Sequence, residues 1–250
     1  MNIPINEFRT ISLADTEGIR LMDRIDSKFV AATALLPRLL ENMQPLFMVQ
    51  TVDGVRLANY ETQYLDTPTR DFYLMHHNGK LNRQKIRIRT YCDSQLSFLE
   101  VKNKSNKGRT TKIRVPVSLP RITTVDELGE GKTFLNECSI FDIHSLLPVL
   151  ENSFQRMTFV NNRASERITI DINMCFHNPR TSTTHPLNGL MVLELKQDGR
   201  LQSDFRALLR ELRIKPCSFS KYCMGTFLTD ATIKHGRFKR KFATINKLTL

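Results

Sequence analysis

Residues 79–117, GKLNRQKIRIRTYCDSQLSFLEVKNKSNKGRTTKIRVPV, decide how the chain is read. From Lys80 to Arg114 there are eleven Lys/Arg residues and two acids, Asp93 and Glu100. Basic runs of this density are usually solvated or disordered, but this one alternates. Lys85, Arg87 and Arg89 share one face of an extended strand, with Ile86 and Ile88 on the other. Glu100, Lys102 and Lys104 alternate with Leu99 and Val101, and Lys112 and Arg114 with Ile113 and Val115. Strands of this kind normally give a sheet with one wet side. Like charges opposed across strands destabilise a sheet, so the cationic face reads as a surface for a polyanion such as phosphate.

Outward from this block, composition narrows the classes. The net charge of +12 and pI near 9.7 call for an anionic partner, and 40% hydrophobic residues suffice for a core. No apolar run is long enough for a transmembrane segment. The start, MNIPINEFRT, has no signal-peptide pattern. A cytoplasmic location is expected, with a membrane-protein partner at the inner membrane face left open for the basic tail. Five cysteines without a CxxC pair argue against a disulfide framework or zinc site. An aromatic content of 8%, the lack of tryptophan and the absence of a recognition motif disfavour a nucleic-acid partner.

In chain order, residues 1 to 19 read as a lead-in helix or turn. Arg24 to Lys28 reads as a strand with Arg24, Asp26 and Lys28 on one face. Leu35, Leu36, Leu39 and Leu40 stripe a helix starting near Leu36, because Pro37 fits only a first turn. Strands follow at Phe47 to Gln50 and Asn59 to Asp66, then a turn or short helix from Thr69 to His76. Asn78-Gly79 is a hairpin-type turn into the basic block. Short helices are expected at Val125 and over Phe141 to Leu150, and strands at Thr158 to Val160, Arg167 to Asn173 and Met191 to Lys196. Helices are expected over Phe205 to Leu212 and Tyr222 to Thr229. One domain spans 1–250, with a core over about 20–230 and a basic tail at 231–250. Strands with one charged face could form an open sheet or close into a barrel with a polar lumen.

The strings DRIDSKFV, YETQYLDTPTRDFYLMHHNGKLNRQKIRIRTY, SFLEVKNKSNKGRTTKIR, ITIDINM, VLELK and SFSKY resemble the polyphosphate polymerase domain of the vacuolar transporter chaperone (VTC) family. That domain belongs to the CYTH-like triphosphate tunnel metalloenzymes. The resemblance implies an α+β fold with a closed eight-stranded antiparallel β-tunnel, a cationic lumen and flanking helices. It implies transfer of the γ-phosphate of ATP to inorganic polyphosphate or pyrophosphate with Mn²⁺ or Mg²⁺.

Carried over by residue, Lys28, Arg87, Arg89, Lys102 and Glu194 are the catalytic set. Arg24, Lys104, Lys112, Arg163, Arg167, Lys196, Ser220 and Lys221 join them as phosphate contacts. Glu194, with Glu100 as partner, is the expected metal ligand; hard oxygen donors suit Mg²⁺ and Mn²⁺. The first strand carries Arg24-x-Asp26-x-Lys28 where tunnel triphosphatases carry E-x-E-x-K, which favours the polymerase branch. The chain also lacks the family's SPX domain and membrane spans. A tripolyphosphatase or nucleoside triphosphatase, and a non-catalytic polyphosphate binder, are the alternatives.

Overall fold

The computed structural model describes residues 4–17, 24–107, 110–199 and 202–248. A 3-10 turn, Pro4–Glu7, leads to β1 (Thr10–Ser12) and α1 (Leu13–Glu17). After β2 (Arg24–Ala32), a 3-10 turn enters α2 (Leu36–Met43), and Pro37 sits in its first turn, where no amide is needed. β3 (Phe47–Thr51), β4 (Ala58–Asp66) and α3 (Asp71–His77) come next. The basic block forms the antiparallel meander β5 (Arg83–Tyr91), β6 (Leu96–Lys104) and β7 (Thr110–Val117). A covering segment holds α4 (Gly131–Cys138). The chain then runs through β8 (Leu147–Asn161), β9 (Glu166–Asn178), β10 (Thr183–Leu187) and β11 (Leu190–Asp198). α5 (Asp204–Glu211), α6 (Lys221–Thr229) and α7 (Gly236–Asn246) complete it.

The strands form an 11-stranded sheet whose main path runs β2-β11-β9-β8-β4-β5-β6-β7. β1, β3 and β10 lie off that path, and β1 pairs with β3 in parallel while the other pairs are antiparallel. The main path thus has eight strands, but its ends, β2 and β7, are not hydrogen-bonded to each other among the described residues. Among the described residues the expected closure of the tunnel is not seen, and the eight strands form a trough. The expectation over Phe141 to Leu150 also changes: a 3-10 turn covers Ile143–Ser145, and Leu147 begins β8.

Two apolar layers hold the curved sheet. Outward residues of β2, β9 and β11, including Phe29, Ile168, Ile170, Leu193 and Leu195, pack against Leu36, Leu39 and Leu40 of α2 and Phe205 of α5. Ile86, Ile88, Leu99 and Val101 of the basic meander pack under Ile122, Val125, Leu128 and Leu135 of the covering segment. The Gln63 side chain donates to the Ile122 carbonyl at 3.0 Å and accepts from its amide at 2.9 Å, pinning that segment. Alternation therefore leaves the charged faces on the concave side because their apolar partners have somewhere to be buried.

α6 fills part of the concavity. Tyr222 stacks on Tyr64 with ring centroids 5.0 Å apart, and packs with Val30 and Val192 from the trough face of β2 and β11. Gly225 permits the approach: a Cβ there would lie 2.5 Å from Phe176 and 2.7 Å from Leu150. Asp66, buried at the end of β4, accepts from the amides of Thr67, Phe72 and Tyr73 at 2.8–3.0 Å and from the Tyr222 hydroxyl. Burial still raises its pKa against those donors. This one carboxylate ties β4, α3 and α6 together.

Candidate functional site: a cationic trough

Register places the trough charges in rows. Lys85 opposes Lys102, which opposes Lys112; Arg87 opposes Glu100, which opposes Arg114. Glu100 is 1% exposed and is the only acid on the trough face of this wall among the described residues. Arg87 binds its Oε2 through Nη2 at 2.6 Å and Nε at 2.8 Å, while Lys112 binds Oε1. Burial alone would raise the Glu100 pKa, but Arg87, Arg89 and Lys112 hold it down at about 2. One carboxylate cannot satisfy the wall. Burial, then Lys28, Lys102 and Arg87, push Lys85 down to about 8. Burial and Arg87 push Arg89 to about 10. Arg89 lies 5.8 Å from the ring centroids of Tyr60 and Phe154, a partial substitute for an anion.

The opposite wall is balanced. Arg156 forms a fork to Asp171 at 2.6 and 2.8 Å, and Lys221 reaches the same carboxylate from α6. Burial opposes the charge on Asp171, but these two cations hold its pKa well below the usual range. Lys28 lies 3.9 Å and Lys196 4.0 Å from Glu194, whose pKa is held at about 2 against burial by Lys28, Lys196 and Arg156. Ser220 caps α6, accepting from the Cys223 amide at 3.3 Å and from Lys85 Nζ at 3.0 Å. Lys28 donates to the Phe219 carbonyl at 3.2 Å. Between the walls is a pocket of about 280 Å³, lined by Lys28, Lys85, Lys102, Lys104, Asp26 and Glu194 among others.

The VTC domain model matches residues 23–229. The chain belongs to the VTC domain family. No curated protein matches the sequence. Among solved structures, the Hippeastrum protein HpAC1, a proposed adenylyl cyclase with a dominant triphosphatase activity, is similar at a TM-score of 0.51 and 14% identity, over 84% of this chain and 98% of that one. A proposed adenylate cyclase from Bacillus halodurans reaches 0.49 at 15% identity, over 80% and 96%. The likeness to HpAC1 is one of fold.

Within this VTC domain the structure brings Lys28, Lys85, Lys102, Lys104, Glu194 and Ser220 to one pocket. Arg87, Arg89, Lys112, Lys196 and Lys221 lie on the same concave face, one or two register steps away. Arg163 is elsewhere: exposed in the β8–β9 turn, it binds Asp204 at 2.5 Å at the start of α5. Arg167 opposes Lys196 but turns to the main-chain oxygen of Thr16. For Arg24 only the backbone position, opposite Asp198, is described. The site residues missing from the set carried over by resemblance are Arg156 and Lys85, although alternation puts Lys85 on the cationic face. At the register shift between Ser153 and Gln155 the extra residue belongs to β9, and β8 keeps Phe154 and Arg156 on the trough face beside Asp171.

The fold family implies a divalent cation, and the donor set decides where it fits. Both oxygens of Glu100 are taken by Arg87 and Lys112, so Glu100 does not fit the ligand role expected of it. Glu194 fits: its cations stand beyond hydrogen-bond distance, and Asp26, opposite Lys196, lines the same pocket. Among the described residues, no three His, Cys, Asp or Glu side chains gather as a metal cage. An ion here would share its shell between Glu194, Asp26 and substrate phosphates, the usual habit of Mg²⁺.

Proposed function

We propose that this VTC domain is a polyphosphate polymerase, moving the γ-phosphate of ATP onto an inorganic polyphosphate or pyrophosphate acceptor held in the trough. The observation that carries the reading is the β5–β7 wall, where Lys85 and Lys102 face the pocket side by side and Arg89 follows two register steps along the same face, while the one acid is already neutralised. A phosphate chain supplies the missing negative charge at regular spacing. Phosphoryl transfer asks the protein for positioning and charge stabilisation above all. Arg89 would clamp non-bridging oxygens through its fork, Arg87 would add the N–H groups that Glu100 leaves free, and Lys28, Lys85 and Lys102 would act as point charges. Lys112, Lys196, Ser220, Lys221 and Arg156 would extend the contacts along the chain. No general base is needed, because the terminal phosphate of the acceptor is already an anionic nucleophile. Mn²⁺ or Mg²⁺ at Glu194, when bound, would neutralise developing charge on the phosphates. Closure of the eight strands around the chain belongs to this reading, as does a single domain over 1–250.

A second reading, a triphosphatase, is favoured by the likeness to HpAC1 and by Asp26 beside Glu194, which gives water a second carboxylate neighbour. Incubation with ATP and Mn²⁺ or Mg²⁺, resolved on a polyphosphate gel beside Glu194→Ala, separates the two. A ladder from the wild type that the variant lacks supports the polymerase. Orthophosphate alone gives the triphosphatase, and no turnover with retained binding gives a polyphosphate binder.

A further inference from the structure

Arg83 and Lys241 line the pocket beside Lys104 but have no part in the site described above. Along β5 and β6, one register step beyond Lys85–Lys102, Arg83 opposes Lys104 on the same face, and both line the pocket. A step of two strand residues advances about 7 Å. From the other side comes Lys241 of α7, a helix beyond the residues that the VTC family model matches.

α7 is seated firmly enough to aim that lysine. Phe238 is buried, with ring centroids 5.3 Å from His77, 5.8 Å from Tyr73 and 6.2 Å from His76. The Arg237 amide donates to His77 Nε2 at 3.3 Å. Lys241 follows Phe238 by three residues, so it shares the inward face, and its Nζ donates to Ser218 Oγ at 2.5 Å. His76 stands among these cations with a buried Nδ1 that has no partner. Burial first, and then Lys85, Arg83, Lys241 and Lys104, lower its pKa to about 3. The imidazole therefore stays neutral where a fifth positive charge would cost most. The acids lining this pocket, Asp26 and Glu194, belong to β2 and β11.

We propose that Arg83, Lys104 and Lys241 form a second phosphate subsite, which holds a phosphate group further along a chain than the reacting triphosphate. The subsite rests on the phosphate-transfer reading and deepens it: α7 selects long inorganic polyphosphate over short ligands. Tripolyphosphate fills the Lys28–Lys85–Lys102 end alone, whereas a longer chain continues past Arg83 and Lys104 to Lys241.

The test is calorimetric titration of tripolyphosphate and of long-chain polyphosphate into the wild type, Lys241→Gln and Arg83→Gln. Lys239→Gln, an exposed position on α7, serves as control. Losing one charge-assisted contact should weaken long-chain binding about tenfold. Tripolyphosphate affinity should stay within about twofold, and the control should match the wild type. Arg83 sits on β5, so its variant tests the subsite even if Lys241→Gln loosens α7, which a thermal scan would show. Equal losses for both ligands, or no loss in either variant, would overturn the subsite. If the wild type binds neither ligand, the phosphate reading itself falls, and the subsite with it.

Discussion

The two walls of the trough start from the same pattern, strands with one charged and one aliphatic face, and end in opposite electrostatic states. On the β2–β11–β9–β8 side, Arg156 and Lys221 share Asp171, and Lys28 and Lys196 flank Glu194. On the β5–β6–β7 side, Glu100 serves Arg87 and Lys112, and the remaining cations face one another. The first wall can stand alone. The second leaves Lys85 facing Lys102, with its one acid taken by Arg87 and Lys112. Alternation builds a wall, and the placement of acids decides whether it is structural or receptive.

The largest effect expected is on the single carboxylate of the receptive wall. Glu100→Gln would leave Arg87, 21% exposed, without its counter-charge beside a solvent-reaching Lys112, a loss of about 3 kcal/mol in urea unfolding, the low end for a broken buried pair. Tripolyphosphate should restore part of that stability, since a ligand that binds only the folded state stabilises it. If it restores none, the wall does not take phosphate. Asp171→Asn should cost a similar amount by stranding Arg156 and Lys221. The next effect is mechanical. Gly225→Ala pushes a Cβ against buried Phe176 and Leu150, and overpacking of this kind costs about 1–3 kcal/mol. Displaced α6 should also weaken phosphate binding, because Ser220 and Lys221 ride on it.

Those comparisons also show what the sequence could reveal. β5, β6 and β7 were legible because each keeps a strict period of two, and both Lys85 and Glu100 fall on the face that alternation assigns. α2 was legible from its leucine stripe and from Pro37. β8 was not: only Thr158 to Val160 read as strand, in an element running from Leu147 to Asn161. Its Pro148 looks like a breaker and an extra residue interrupts its pairing with β4 between Pro148 and Leu150, so the strand was not read back to Arg156, while Arg163 in the turn was carried over instead. Closure was equally out of reach, since nothing in β2 or β7 alone encodes whether the two edges meet. Nor does sequence spacing show that Glu100 is consumed by its neighbours and Glu194 is not.

The smallest effect is a titration. Lys85, Lys112 and Lys221 are all pushed down to about 8, chiefly by burial. Below that pH they are charged and attract phosphate; above it they lose their protons. Affinity for tripolyphosphate should therefore fall several-fold as pH rises from about 7 to about 9, measured by calorimetry at constant ionic strength. A flat profile would show that these lysines do not contact the ligand.

The most direct measurement is tripolyphosphate binding across a salt series, for the wild type and for Lys85→Gln combined with Lys102→Gln. Both lysines face the pocket without an acid between them. Tight binding that weakens steeply with salt, and that drops about a hundredfold in the double variant, is the result predicted. No binding, or binding indifferent to salt and to the loss of both lysines, would contradict a phosphate-receptive wall.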